Sequence, residues 1–265
     1  MSAQRDVSAQ GEQPLPVLHR TGSGPAVVLL HPLGVERRYW DPILPLLPRL
    51  TVLSYDLPGH GATKTGGVNS VEAMADQLAE LLAQAGVAKA HVVGVSLGGL
   101  VAQLFAVRHP ERLDRLVLVD TVPRYPPPVR EQWKQRAATA RSAGMGPLVA
   151  PTLASWFTPS FLAADGPGVA AIRTMLAEVE PEGYAMACEA LEAADATELA
   201  TAINAPTLLV CGDDDMPPFT AAVSWFAERI PRTETVWLSP AQHAGVLEHP
   251  QAFATALTTF LGASG

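Results

Sequence analysis

Residues 94–99 read GVSLGG and lie where a short apolar run at 92–95 is followed by a helical pattern at 98–109. A serine in the pattern G-x-S-x-G, between a strand and a helix, occupies a tight, strained turn, so the positions two residues away must lack side chains. The helix start offers backbone N–H groups and a positive dipole end to a developing oxyanion. This context predicts that Ser96 is a nucleophile. The alternative is a glycine-rich turn that only packs a strand against a helix.

The surrounding chain alternates strand-like and helix-like patterns. Besides 92–95, short apolar runs rich in Val and Leu occur at 27–30, 52–55, 116–119, 208–211 and 235–238, as expected for strands buried on both faces. Helical patterns at 71–82, 98–109, 221–229 and 253–261 alternate with them. The alternation predicts an α/β fold with a mostly parallel central sheet flanked by helices. Such a sheet binds its ligand at the carboxyl ends of its strands.

The alternation stops between about residues 122 and 201, and this determines the predicted domain organisation. This stretch starts with a proline-rich turn and has helical patterns and aromatic residues but no good strand. We interpret 122–201 as a helical cap over the strand ends, inserted into an α/β core made of 15–121 and 202–265. Residues 1–14 are polar and lack the apolar region of a signal peptide, so they are predicted to be a disordered tail.

A serine nucleophile needs a base, and His243 is the best placed of the seven histidines. Its loop, residues 240–245, follows the last predicted strand and therefore lies at the carboxyl edge of the sheet. Most of the other six are interpreted as exposed loop histidines, which is also the alternative for His243.

The base in turn needs an orienting acid, and three adjacent acids follow the strand that ends at residue 211. Adjacent carboxylates repel one another, so stability alone does not favour this arrangement. The candidates are Asp213, Asp214 and Asp215, and the alternative is a solvated acidic turn. Asp120, at the end of the fourth predicted strand, is a second candidate acid.

The oxyanion that forms during acyl transfer needs two backbone donors. Residues 31–34, HPLG, follow the first buried strand. We expect the N–H of Leu33 to pair with that of Leu97. Pro32 has no N–H and cannot donate.

Composition and charge exclude several classes of function. A net charge of −8 over 265 residues argues against a nucleic-acid binder and against docking on an anionic membrane. No apolar segment reaches the roughly 18 residues that a membrane span needs. Cys188 and Cys211 are too few for a disulfide framework and have no zinc spacing. We therefore expect reduced thiols, a cytoplasmic protein and no bound metal.

Together, these features resemble the α/β-hydrolase fold family over roughly residues 17–261. The segment DLPGHG at 56–61 is a further marker of that family. Within it, the chain is most similar to 3-oxoadipate enol-lactonases and related esterases, through YWDP at 39–42, WFTP at 156–159 and PEGYA at 181–185. The resemblance implies acyl transfer without a metal or an organic cofactor.

The resemblance also assigns roles to individual residues. It implies that Ser96 is the nucleophile, that His243 is the base, and that Asp215, three residues after the glycine at 212, is the acid. These three occur in the chain order of the family. Trp133 and a nearby arginine correspond to residues of the cap that line the enol-lactone site.

The predicted entrance to the cap is basic although the whole chain is acidic. Five basic residues lie between 122 and 141, with Glu131 as the only acid: Arg124, Arg130, Lys134, Arg136 and Arg141. An anionic substrate, such as a carboxylate-bearing lactone, would be attracted to this segment. The alternative is a solvated helix face. Arg124, Trp133 and Trp156 are the predicted substrate contacts.

The sequence thus predicts a serine hydrolase that cleaves a small ester or lactone, either as a monomer or as a homo-oligomer. A carbon–carbon bond hydrolase and a cofactor-free haloperoxidase or perhydrolase would use the same triad. A small-molecule receptor on the same scaffold is the alternative without catalysis. Dehalogenases of this fold use an aspartate nucleophile, and Ser96 argues against that reaction.

Overall fold

The computed structural model describes residues 15–263, and within them seven strands form one sheet. The strands are β1 (His19–Gly22), β2 (Ala26–Leu30), β3 (Thr51–Ser54), β4 (Ala90–Val95), β5 (Leu113–Val119), β6 (Thr207–Gly212) and β7 (Thr233–Leu238). Their order across the sheet is β1-β3-β2-β4-β5-β6-β7. Every neighbouring pair is parallel except β1 with β3. The carboxyl ends of β4, β5 and β6, which precede the predicted nucleophile and acids, are therefore adjacent.

All six predicted strands are present, and the predicted mostly parallel sheet is confirmed. The sequence analysis missed β1, which has the sequence HRTG and is largely exposed. This strand lies at the sheet edge and has no apolar run to identify it. It forms because its backbone pairs with β3, where His19 lies opposite Ser54.

Ten α-helices are present in the described residues. They are α1 (Val71–Gln84), α2 (Leu97–Arg108), α3 (Pro127–Ala143), α4 (Gly146–Trp156), α5 (Pro159–Ala164), α6 (Pro167–Glu178), α7 (Pro181–Ala193), α8 (Pro217–Arg229), α9 (Gly245–Glu248) and α10 (Pro250–Leu261). Six of them begin on proline, whose fixed φ suits the first helical position and whose missing N–H would be unpaired there. At the start of α1 the Ser70 side chain accepts a hydrogen bond from the Ala73 N–H, at 3.2 Å.

Both faces of the central strands β2 to β6 are covered, which explains why these strands read as continuous apolar runs. The expectation that the run at 235–238 is buried on both faces was wrong, because β7 is an edge strand and is largely exposed. In β2, Val28 and Leu30 point into a core shared with α1, α2 and α8. Val27 and Leu29 point into a second core, shared with α10.

Helices α3 to α7 lie between β5 and β6, and we refer to them as the helical insert. From residue 120 to residue 206, all within the described chain, there is no strand. An isolated β-bridge joins Arg124 to Asp195 near the two ends of the insert. The predicted tail, residues 1–14, lies outside the described residues. A search of the described helices finds none that is long and apolar enough to cross a membrane.

Candidate active site

The turn between β4 and α2 has the strained geometry that its sequence predicts. Ser96 has φ 53° and ψ −109°, a backbone conformation that residues with a side chain rarely adopt. A Cβ on Gly94 would lie 2.1 Å from the carbonyl oxygen of Gly98. A Cβ on Gly98 would lie 2.5 Å from the carbonyl oxygen of Leu30. The backbone therefore passes too close at both positions for any residue but glycine.

Hydrogen bonds from neighbouring elements hold this turn in place. The Ser96 N–H donates to the carbonyl of Val119 at the end of β5, at 3.0 Å. The Ser96 carbonyl accepts from the Thr121 hydroxyl at 2.9 Å and from the Leu100 N–H at 3.1 Å. Backbone strain of roughly 1–3 kcal/mol persists in a fold only when the surroundings constrain it in this way.

His243 is buried and pairs with one of the predicted acids. Its Nδ1 lies 2.9 Å from Oδ2 of Asp215. The Asp215 carboxylate accepts this hydrogen bond, so the proton is on Nδ1 and Nε2 is free to act as a base. Burial by itself would lower the pKa of His243, but the charge and hydrogen bond of Asp215 raise it above its usual value.

The structure separates the three adjacent acids. Asp213 and Asp214 are exposed, whereas Asp215 is buried. The second oxygen of Asp215 accepts from the Met216 N–H at 2.7 Å. Of the three, Asp215 is the one that contacts the imidazole of His243.

Asp120 lies beside this pair and is also buried. One of its oxygens accepts from the Gly212 N–H at 2.9 Å, while the other is buried without a partner among the described residues. Carboxylate oxygens of Asp120 and Asp215 and the Sγ of Cys211 all lie within 4.8 Å of one another. Burial, and then the charge of Asp215, raise the pKa of the Asp120 carboxyl well above its usual range.

The loop that contains Leu33 is positioned by two buried histidines. The Gly34 N–H donates to Nε2 of His60 at 3.0 Å, and the Leu57 N–H donates to Nε2 of His31 at 2.9 Å. The Nδ1 of each ring lies against the carbonyl of a neighbouring proline. These bonds join the loop at 31–34 to the loop at 56–61.

Both of these histidines are neutral acceptors, because an Nε2 that accepts cannot carry a proton. Burial lowers the pKa of His31. Burial, and then the charge of His31, lower the pKa of His60 to about 3. The sequence analysis assigned no role of their own to these two histidines. Each follows a strongly buried strand, and that was the available signal in the sequence.

A cavity of about 390 Å³ contains the predicted nucleophile and base in its wall. Ser96 and His243 line it together with Leu33 and with side chains of α3, α4 and α8. Leu97, the other predicted oxyanion donor, is the first residue of α2, directly after Ser96. The other lining residues include Tyr125, Gln132, Trp133, Arg136, Thr152, Ser155, Trp156, Met216 and Phe219.

Two of the three predicted substrate contacts, Trp133 and Trp156, line this cavity. The third, Arg124, does not. It pairs with Asp195 at 3.1 Å and lines a separate surface cleft beside Trp225.

The basic segment is mostly neutralised by acids of α7 and the residues that follow it. Four of its five members form ion pairs there: Arg124 with Asp195, Arg130 and Lys134 with Glu192, and Arg141 with Glu182 and Glu189. The expectation that the whole segment attracts anions is therefore too broad.

Arg136 is the exception. Its guanidinium donates to the hydroxyls of Tyr184, at 2.8 Å, and Thr152, at 2.6 Å. In the described part of the chain no carboxylate forms an ion pair with it. Its guanidinium carbon also lies 5.6 Å from the ring centre of Trp133. Neutral hydroxyls leave the positive charge uncompensated, and this charge lines the same cavity as Ser96.

Comparisons with known proteins give a consistent result. A family profile described as alpha/beta hydrolase fold matches residues 25–250. The chain is 30% identical to 3-oxoadipate enol-lactonase 2 of Acinetobacter baylyi, over 86% of this chain and 85% of that protein. It is 35% identical to a pimeloyl-[acyl-carrier protein] methyl ester esterase of Chromobacterium violaceum, over 91% and 95%. The crystal structure of the enol-lactonase from Burkholderia xenovorans LB400 is 32% identical, with a TM-score of 0.87, covering 92% and 96%. The predicted resemblance is confirmed.

Proposed function

Because this chain belongs to the α/β-hydrolase fold family, we propose that it is a serine hydrolase that cleaves an ester or a lactone with Ser96, His243 and Asp215. One observation carries the proposal. The imidazole that bonds to the buried Asp215 at 2.9 Å lines the same cavity as the strained serine. Relatives that are named as an enol-lactonase and a methyl ester esterase support the ester class.

In the proposed reaction the Ser96 hydroxyl oxygen attacks the carbonyl carbon while Nε2 of His243 accepts its proton. Asp215 keeps the other proton on Nδ1 and stabilises the imidazolium. The backbone N–H groups of Leu33 and Leu97 bind the oxyanion, each lowering the barrier by roughly 3 kcal/mol. The imidazolium then protonates the departing alkoxide. Water activated by His243 hydrolyses the acyl-enzyme, which releases the acid and restores Ser96.

Labelling with a fluorophosphonate probe tests the nucleophile. Wild-type protein is expected to be labelled under native conditions, and Ser96→Ala is not. Failure to label the wild type would favour the receptor alternative, whereas labelling that survives Ser96→Ala would overturn the assignment of the nucleophile.

The substrate is proposed to carry a carboxylate, which Arg136 binds. Its charge is uncompensated by any carboxylate of the described chain and lies in the cavity wall. The indole N–H of Trp133 is buried in the same wall without an acceptor among the described residues. A substrate carboxylate would provide the missing negative charge, and its oxygens would also provide an acceptor for that donor.

Two esters with the same acyl chain test this proposal: monomethyl adipate, which has a free carboxylate, and dimethyl adipate, which does not. The wild type is expected to show a higher kcat/KM on the monoester. Arg136→Gln should reduce kcat/KM about 10- to 100-fold on the monoester only, because a charged hydrogen bond is lost. Arg124→Gln is the matched control, since that side chain is ion-paired outside the cavity. Equal losses on both esters would contradict the carboxylate proposal.

A further inference from the structure

Asp120 is a buried carboxyl group that the proposed mechanism does not use. It directly follows β5, has a left-handed backbone with φ 44°, and is 1% exposed. One oxygen is held by the Gly212 N–H at 2.9 Å. The other has no partner in the described part of the chain. A buried carboxylate oxygen without a hydrogen-bond partner is unfavourable. The protonation state of Asp120 therefore has to be explained.

The second carboxyl group of the site supplies that reason. An oxygen of Asp120 lies within 4.8 Å of one from Asp215. Two buried carboxyls at this separation do not both keep a negative charge. Two other titratable groups, His243 and Cys211, influence the pKa of Asp120. The charge of Asp120 in turn influences the pKa of Tyr39.

The hydrogen bonds decide which of the two carboxyls is charged. Asp215 accepts from His243 at 2.9 Å and from the Met216 N–H at 2.7 Å. Asp120 accepts from a single N–H, and its other neighbouring donor is the thiol of Cys211, which is weak. A carboxylate with the stronger donors is the better stabilised anion. The proton shared by the two groups therefore resides on Asp120, and the negative charge on Asp215.

We propose that Asp120 is a second acid of this site: it is neutral while Asp215 is charged, and it ionises and stabilises the His243 imidazolium when Asp215 loses its charge. On ionising, Asp120 releases its proton to water and takes over the single negative charge of the pair. The role in turnover rests on the proposed serine hydrolase function, whereas the protonation state of Asp120 does not.

Three variants test the second acid on a p-nitrophenyl ester: Asp215→Asn, Asp120→Asn and the double variant. Asparagine tolerates the left-handed conformation at 120, so folding should be preserved. We expect kcat/KM to fall less than tenfold in Asp120→Asn, about 100-fold in Asp215→Asn and about 10⁴-fold in the double variant, as when a triad acid is fully lost. A double variant no slower than Asp215→Asn would overturn the proposal.

The pH profile provides a readout that a purely structural role would not change. In Asp215→Asn the kcat/KM should show a rise with pH from the ionisation of Asp120 in addition to the rise from the deprotonation of His243, and only the latter rise should remain in the double variant. If the two profiles have the same shape, the proposal is wrong.

Infrared spectroscopy tests the protonation state without any turnover. At neutral pH the wild type should show the C=O stretching band of a protonated carboxylic acid, and Asp120→Asn should lack it. Absence of the band in the wild type would overturn the proposal. Because this measurement needs no substrate, its failure is distinguishable from a failure of the proposed function, which would appear as an unlabelled and inactive wild type.

Discussion

Replacing Ser96 by glycine is expected to stabilise the fold while it removes the proposed nucleophile. The serine has φ 53° and ψ −109°, and a side chain in that region costs about 1–3 kcal/mol. Glycine removes this strain because it has no Cβ. Glycine also loses more conformational freedom on folding, which lowers the free energy of unfolding by roughly 0.5–1 kcal/mol. The net gain in the free energy of unfolding is therefore about 1 kcal/mol.

The comparison that isolates this strain is Ser96→Gly against Ser96→Ala. Both variants lack the hydroxyl, and they differ only in the Cβ. Urea unfolding followed by circular dichroism measures their free energies of unfolding. A difference of 1 kcal/mol should also raise the Tm of the glycine variant by about 2–4 °C, for a chain of this size.

The same pair of substitutions at Ser224 is the control, because there the alanine variant should be more stable than the glycine variant. Ser224 is exposed inside α8, where glycine is less stable than alanine by about 1 kcal/mol. The glycine variant should therefore be the more stable of the pair at residue 96 and the less stable at residue 224. If Ser96→Gly is no more stable than Ser96→Ala, the left-handed backbone at the turn stores no significant strain and the reasoning is wrong.

Three further predictions follow from the packing and the pKa shifts. Gly98→Ala should lower the free energy of unfolding by about 3 kcal/mol or more in urea titrations, whereas Gly168→Ala, which meets open space, should not. The kcat/KM of the wild type should fall on acidification with a midpoint above pH 6.5, because the base must be neutral and Asp215 raises the pKa of His243; a midpoint below 6.5 would contradict this. Because the pKa of His60 is about 3 in the folded protein, only the unfolded chain protonates this imidazole between pH 6.5 and 3. The free energy of unfolding should therefore fall by up to about 1.4 kcal/mol for each unit by which the pH is lowered in this range. His60→Gln should reduce that slope in urea unfolding at pH 7, 5.5 and 4.5, and an unchanged slope would refute it.

The features that the sequence determined by itself are those that depend on neighbours along the chain. The turn at Ser96 needs glycine at 94 because a Cβ there would lie 2.1 Å from the carbonyl oxygen of Gly98, four residues further along the chain. The strands β2 to β6 are largely buried, so each is visible as an apolar run, whereas β7 is largely exposed and has only a short run at its end. The strand at His19–Gly22 is visible only through its pairing, because an exposed edge strand of four residues needs no apolar pattern.

Only the tertiary structure decided which polar groups meet. Of three adjacent acids, Asp215 is the one buried against His243, a residue 28 positions away. Of five basic side chains, Arg136 reaches the cavity without a carboxylate, while Arg124 is paired outside it. Charge pairing and burial are properties of the space around a side chain. That space is set by elements far apart in the sequence, here by α7 and by the loops that follow β6 and β7.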